Sequence, residues 1–461
     1  MANSWANLGV DLHLEPAGTS GLRRGLTDAL RDAVRTGRLA PGTRLPSSRS
    51  LAGDLGVARN TVAEAYTDLV AEGWLTARQG SGTRVAERAV IPPAQAPRRR
   101  PTGRPALSLV PGTPDLAAFP RAEWLKAARR ALAGAPLDAL GYGDPRGRPE
   151  LRTALAGYLA RVRGVRADPE TIVVTAGFSH ALRVLGTLLR ARGVRSVAVE
   201  SYGLDAHWSL LRDAGLATPA LPYDELGTDT GALTGEGAVL LTPAHQFPMG
   251  TALHPDRRTA VVQWARRTGA LVLEDDYDGE FRYDRQPVGA LQGLDPGRVV
   301  HLGTTSKSLA PGLRLGWMVL PPSLVEEAAA AKGRIDTVGA LDQLTLAEFL
   351  TSGAYDRHVR SARLRYRRRR DALAAAVAER APGVRVTGIA AGLHAVLRLP
   401  PGSEQPVVQA ATWQGLALHG LSFHRHPEAV AEPADALVVG YGTPSDSAWA
   451  GALEALCRVL P

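Results

Sequence analysis

The segment Thr304-Thr305-Ser306-Lys307 followed by Arg314 sets a hydroxyl three positions before a primary amine and a guanidinium seven after it. A lysine that forms a Schiff base must sit beside a phosphate clamp and near a cation that helps to depress its pKa, and this spacing offers both. Upstream, Leu273-Glu274-Asp275-Asp276-Tyr277 places carboxylates at the end of an apolar run. A carboxylate there can keep a pyridine nitrogen protonated, which makes the ring an electron sink, and a phenol just beyond can hydrogen-bond a ring oxygen. Farther upstream, Thr175-Ala176-Gly177-Phe178-Ser179-His180 ends a strand and starts a helix, and the free amides of a helix N-terminus bind phosphate. Each piece alone is commonplace, since acidic triplets are usually solvated and a glycine often joins strand to helix. Their joint order carries the reading. Lysine scarcity adds to it, because Lys126, Lys307 and Lys332 are the only three in 461 residues.

Elements must hold these residues in place. From about 108 onward, strand-like runs at 171–175, 196–200, 238–242, 270–273 and 299–302 alternate with amphipathic stretches, the pattern of crossover units around a mostly parallel central sheet. Residues 86–107 combine prolines with Arg98, Arg99, Arg100 and Arg104 and are expected to be an exposed linker. Residues 20–85 form a separate module. Leu22, Leu26, Ala29, Leu30, Ala33 and Val34 recur at helical spacing, and Gly37 is a stop. Ser47 is the expected N-cap of a second helix, Gly56-Val57 a tight turn, and a third helix runs from near Arg59 to Glu72. Two short helices joined by a glycine turn make a helix-turn-helix. The stretches 74–77 and 83–85, joined by a 79–82 turn, read as a hairpin wing. Ten arginines face six acids across this module, a net charge of +4, which permits a polyanion without identifying one.

The stretch PGTRLPSSRSLAGDLGVARNTVAEAYTDLVAEGWLTARQGSGTRV resembles the GntR family of winged-helix regulators. That resemblance implies that Arg44 and Arg49 meet the phosphate backbone and nearby bases of double-stranded operator DNA. It puts Arg59, Asn60 and Thr61 in the major groove and Gly80 close to the minor groove. The physics agrees, since residues at the front of a recognition helix reach base edges. Ala58 stands where the family often has a capping serine, which weakens the cap rather than the DNA contact. The later segments resemble the fold-type I aminotransferases, and with the winged helix in front the whole from 20 to 460 is similar to the MocR (GabR-like) subfamily. This implies a pyridoxal 5'-phosphate (PLP) domain over 108–461 with a small C-terminal α+β subdomain from about 345. By the same resemblance Lys307 carries the cofactor aldimine, Asp275 (favoured over Asp276 by its spacing to Tyr277) pairs with the ring nitrogen, and Tyr277 faces the ring O3′. Thr304, Arg314 and the amides of Gly177, Phe178 and Ser179 hold the phosphate. Tyr142, in Gly141-Tyr142-Gly143-Asp144-Pro145, matches a loop that reaches the neighbouring subunit's site, so a homodimer is expected.

Three departures concern catalysis. Phe247 stands where the aminotransferases have an asparagine for O3′, with His245 or Gln246 as the substitutes to consider. Leu204 stands at the ring-stacking position, with Tyr202 two residues earlier. Val438 replaces the arginine that binds a substrate α-carboxylate, a strong charge-assisted pair where present. Arg425 is open between reaching that place and lying on the surface. The expectation is a DNA-binding transcription regulator that senses PLP, or an amine or amino acid through an external aldimine. The alternative is a working aminotransferase with an accessory DNA-binding domain. A single cysteine, Cys457, excludes an internal disulfide. The absence of a long apolar run and of a leader pattern in 1–16 points to a cytoplasmic protein without membrane contact, and no metal site is expected.

Overall fold

The computed structural model describes residues 21–78, 82–87, 105–283, 288–430 and 434–461. Gly80, and most of the proline- and arginine-rich segment (88–104), lie outside them. The chain divides into two compact units, one up to Gly103 and one from Arg104.

In the first unit, helix α1 (Leu22–Arg35), α2 (Ser48–Leu55) and α3 (Arg59–Ala71) precede an antiparallel hairpin of β1 (Leu75–Arg78) and β2 (Gly82–Val85). The Ser47 hydroxyl accepts from the Ser50 amide at 3.1 Å and so caps α2. Gly56, at φ +66°, closes α2 in the left-handed region that suits glycine. Ala58 leaves α3 without a side-chain cap. Leu26, Leu30, Leu51, Val62, Leu69 and Leu75 share one core beneath these elements, each contributing roughly 1.5–3 kcal/mol by burial.

The second unit is built on a seven-stranded sheet. In spatial order its strands are Ile172–Thr175, Gly316–Val319, Val299–Thr304, Leu271–Asp275, Ala238–Leu241, Val197–Glu200 and Ala220–Leu221. All five apolar runs of the sequence lie in it. The neighbours from Val299–Thr304 to Ala220–Leu221 pair in parallel, and Gly316–Val319 is antiparallel to both of its neighbours. The strands are buried throughout because both faces are covered. Along Leu271–Asp275, for example, Leu271 and Leu273 enter one apolar cluster and Val272 another, as the two-residue strand period requires.

A four-stranded antiparallel sheet, in the order Arg385–Thr387, Ala395–Arg398, Ala436–Val439 and His419–Gly420, forms the smaller C-terminal part. The helix Ala354–Arg380 serves both parts. Ala354, Tyr355 and Val359 pack into the large part, and Ala362, Tyr366, Leu373 and Val377 into the small one. The small core therefore begins within that helix rather than near 345, because a single continuous helix bridges the two cores. Leu107–Ser108 pairs in parallel with Leu416–Ala417, so the end of the expected linker is a strand of the small part. Among the described residues no helix is long and apolar enough to cross a membrane.

Candidate functional site

Five strands of the large sheet end at the same edge, and each delivers a side chain there. After Ile172–Thr175 come Phe178 and Ser179; after Val197–Glu200, Tyr202; after Ala238–Leu241, Phe247; after Leu271–Asp275, Tyr277; and from Val299–Thr304, Thr304 and Lys307. These residues and Arg314 line one pocket of about 370 Å³. Ligands of open α/β sheets bind in this position, outside the carboxyl ends of the strands. The antiparallel strand Gly316–Val319 is what brings the distant pieces together, since Gly316 lies opposite Thr304 on one side and Thr175 on the other. A Cβ on Gly316 would stand 2.8 Å from the Gly177 Cα, so the backbones meet there only because residue 316 has no side chain.

The acidic triplet is buried, and its three carboxylates meet different surroundings. Glu274 accepts from the amides of Leu291 and Gln292 at 2.6 and 2.9 Å. Asp276 accepts two hydrogen bonds from Arg163, at 2.6 and 2.9 Å. Burial alone would raise the Asp276 carboxyl, but Arg163 outweighs it and holds the group below the usual carboxylate range. Asp275 faces the pocket. Burial, aided by the neighbouring acids Asp276, Asp278 and Glu200, holds its carboxyl well above the usual range against the pull of Lys307. Its Oδ1 is a buried acceptor with no hydrogen-bond partner among the described residues. A protonated ring nitrogen satisfies such an atom.

Lys307 Nζ donates to the Gly112 carbonyl at 2.6 Å, and burial lowers its pKa, partly offset by Asp275 and Asp278. An amine so displaced is nearer to the neutral form that attacks a carbonyl. Arg314 adopts the left-handed conformation at φ +53°, which non-glycine residues rarely hold outside functional sites. Its Nη2 donates to the Ala176 carbonyl at 2.6 Å, setting the guanidinium beside the N-terminus of the helix Phe178–Ala191. Gly177, at φ +84°, precedes that helix, and a Cβ on it would meet Arg314 at 3.2 Å. The Thr304 hydroxyl lies 2.8 Å from that of Ser306. Amine, orphaned carboxylate, phenol and phosphate cradle together fit a phosphorylated pyridine aldehyde.

Several expected residues sit elsewhere. His245 is one layer behind the pocket wall, with Nδ1 2.8 Å from Asp278 and 3.1 Å from the Tyr277 hydroxyl. Gln246 donates to the carbonyls of Tyr202 and Phe247 and accepts from the Met249 amide. Neither lines the pocket, so neither stands where the missing asparagine would. Phe247 fills that place and packs edge-on against Tyr277, His394 and His424. Tyr202 and Leu204 both line the pocket. Val438 is fully buried in a cluster with Tyr202, Met249 and Val396. Arg425 does not line the pocket; its Nη2 donates to the Ala429 carbonyl at 2.5 Å. Tyr142 is 97% exposed and outside the pocket of its own chain. The loop behind it is held by Lys332, whose buried Nζ donates to the Pro145 carbonyl and pairs with Asp336. Donor atoms of His245, Asp278 and His394 lie within 4.8 Å of one another; His245 Nδ1 is engaged with Asp278 and His394 Nε2 with the Pro248 carbonyl at 3.0 Å. Gly112, His207 and His394 also line the pocket, and no motif in the sequence marks them.

In the first unit Arg44, Arg49, Arg59 and Asn60 are exposed and Thr61 is half-buried. Arginines of α1 are tied across to acids of α3, Arg23 to Asp68 at 2.9 Å and Arg31 to Glu72 at 2.8 Å. Arg44, Arg49 and Arg59 have no ion pair among the described residues, so their charge is available to a phosphate backbone.

Comparison with known proteins places both units. Residues 22–85 match the bacterial regulatory proteins of the gntR family, and residues 110–423 match aminotransferase class I and II. The chain is 35% identical to the HTH-type pyridoxine biosynthesis transcriptional regulator PdxR of Corynebacterium glutamicum, over 90% of this chain and 91% of that one. It is 34% identical to the probable rhizopine catabolism regulatory protein MocR of Rhizobium meliloti, over 88% of each. Its fold is similar to that of a Pyrococcus horikoshii kynurenine aminotransferase, at a TM-score of 0.68 and 25% identity over 77% of this chain and 90% of that one. The chain is thus a DNA-binding transcription regulator of the MocR (GabR-like) group, with a gntR-family domain ahead of an aminotransferase class I and II domain.

Proposed function

We propose that this regulator responds to PLP itself, held on Lys307, rather than turning an amino acid over. One observation carries the reading: among the described residues Arg314 is the only arginine lining the pocket, so its guanidinium serves one phosphate and no other described arginine is there for a carboxylate. Val438 is buried in the core and Arg425 is engaged with the Ala429 carbonyl, which supports the same view. The relative named for pyridoxine biosynthesis agrees with it.

In this reading Lys307 would hold the cofactor through its aldehyde carbon, Asp275 would pair with the ring nitrogen, and Tyr277 would address the ring hydroxyl. Thr304, Arg314 and the amides at Gly177–Ser179 hold the phosphate. When bound, the cofactor supplies an electrophilic carbon and an electron sink. Phe247 and Tyr202 exclude water around the ring. Arg44 and Arg49 bind the operator backbone, and Arg59, Asn60 and Thr61 read bases in the major groove. Two copies associate through the exposed loop bearing Tyr142. PLP changes operator affinity to the extent that it binds the DNA-competent arrangement better than the other.

The test is a gel shift on the DNA upstream of the chain's own gene, with and without PLP, for the wild type and Lys307→Ala. A PLP effect that Lys307→Ala removes is expected. A wild type indifferent to PLP, or one that transaminates a common amino acid at a substantial rate, overturns the reading.

A further inference from the structure

A second cavity of about 370 Å³ lies apart from the Lys307 pocket. It is walled by the end of the helix Pro149–Arg163, the loop after the strand Leu271–Asp275, and the first half of the helix Ala354–Arg380. Among the described residues, five arginines line it, Arg161, Arg163, Arg282, Arg360 and Arg363, with one carboxylate, Asp356. Arg163 and Arg161 are neutralised. Arg163 forms the buried pair with Asp276 at the base, and Arg161 pairs with Asp356 at 2.8 Å. Arg363 directs Nε and Nη2 to the Glu280 carbonyl, at 3.0 and 2.7 Å, a contact that leaves its charge uncompensated. Arg360, one turn earlier on the same helix face, has no ion pair among the described residues.

Like charges three residues apart on a helix repel. Here they also face a concave wall, which strengthens the field at its centre. An anion with several acceptor oxygens is the natural complement, because a guanidinium binds phosphate through paired N–H groups. We propose that this cavity is a second anion site, for a small phosphate dianion, either free orthophosphate or the phosphate group of an organic monoester. Its base, the Arg163–Asp276 pair, adjoins Asp275 in the chain, so an anion here acts on the segment that carries the pocket's orphaned carboxylate.

The experiment titrates full-length protein with orthophosphate and, separately, glycerol phosphate at constant ionic strength, read by calorimetry. Wild type is compared with Arg360→Gln/Arg363→Gln, with the charge-retaining Arg360→Lys/Arg363→Lys, and with Arg314→Gln, which disables the other phosphate cradle. Circular dichroism checks that each variant is folded. A saturable site that weakens at least tenfold in the glutamine pair, less in the lysine pair, and persists in Arg314→Gln is expected. Tighter binding of glycerol phosphate than of orthophosphate assigns an organic monoester, and the reverse assigns the free ion. Loss of all saturable binding in Arg314→Gln, or equal binding in the glutamine pair and the wild type, overturns the proposal. So does a glutamine pair that loses only DNA affinity, which assigns the arginines to nucleic acid.

Discussion

Glu274, Asp275 and Asp276 are near-identical in chemistry and differ in what meets them: two backbone amides, the pocket, and Arg163. Their substitutions should separate accordingly. Asp276→Asn leaves a buried guanidinium unpaired and is expected to destabilise the fold by about 3–5 kcal/mol, read as a fall in the urea midpoint. Asp275→Asn should leave that midpoint nearly unchanged and increase the rate of PLP loss at least tenfold, followed by absorbance after dilution. A fourth carboxyl, Glu280, is buried between the Tyr158 and Tyr355 hydroxyls at 3.4 and 3.2 Å and is pushed up to about 7, chiefly by burial. A carboxyl raised on folding contributes stability that is full below its unfolded value and is lost as pH rises through the folded one. Between roughly pH 5 and 8 this group should therefore withdraw on the order of 2–3 kcal/mol. Glu280→Gln is expected to flatten that fall and to raise the denaturation midpoint at about pH 8; an unchanged pH profile would contradict it. The motif residues around Lys307 were legible because their spacing is local. The partners of the acids were not, since Arg163 stands 113 positions from Asp276 and nothing in a single chain ties the two.

At the scale of elements, the short antiparallel strand Gly316–Val319 and the helix that starts at Phe178 meet closely at the pocket's edge. Gly316→Ala should force Gly177 and Arg314 apart and weaken PLP retention several-fold, with little change in the far-ultraviolet circular dichroism. The five parallel strands were readable as apolar runs. This strand was not, because its residues read as the tail of the lysine motif, and its direction is fixed only by pairing with Val299–Thr304 and Ile172–Thr175. In the first unit, capping and turn residues (Ser47, Gly56) made α2 and its turn legible from local chemistry alone. Arg59→Ala, at the front of α3, is expected to weaken operator binding by about 1–3 kcal/mol and to relax specificity. Arg49→Ala should lower affinity for all sequences alike and reduce the salt dependence by about one phosphate contact.

At the scale of the whole molecule, Leu137, Leu140 and Tyr142 are 95%, 61% and 97% exposed on adjacent turns of the second unit. Such apolar exposure suits a surface that a second copy covers. Tyr142→Asp is expected to shift the protein toward monomer in sedimentation velocity, and to loosen PLP if the loop completes the partner's site. The sequence by itself determined the two-part organisation, the helix-turn-helix, the parallel sheet and the spacing of Thr304, Lys307 and Arg314, because local periodicity, turn chemistry and short-range spacing encode them. Tertiary structure decided which acid faces the pocket, that His245 and Gln246 stand behind its wall, and that Val438 and Arg425 leave it without a carboxylate partner. Those outcomes depend on contacts between distant segments in a close-packed interior, where a side chain's role is set by the partner that reaches it first.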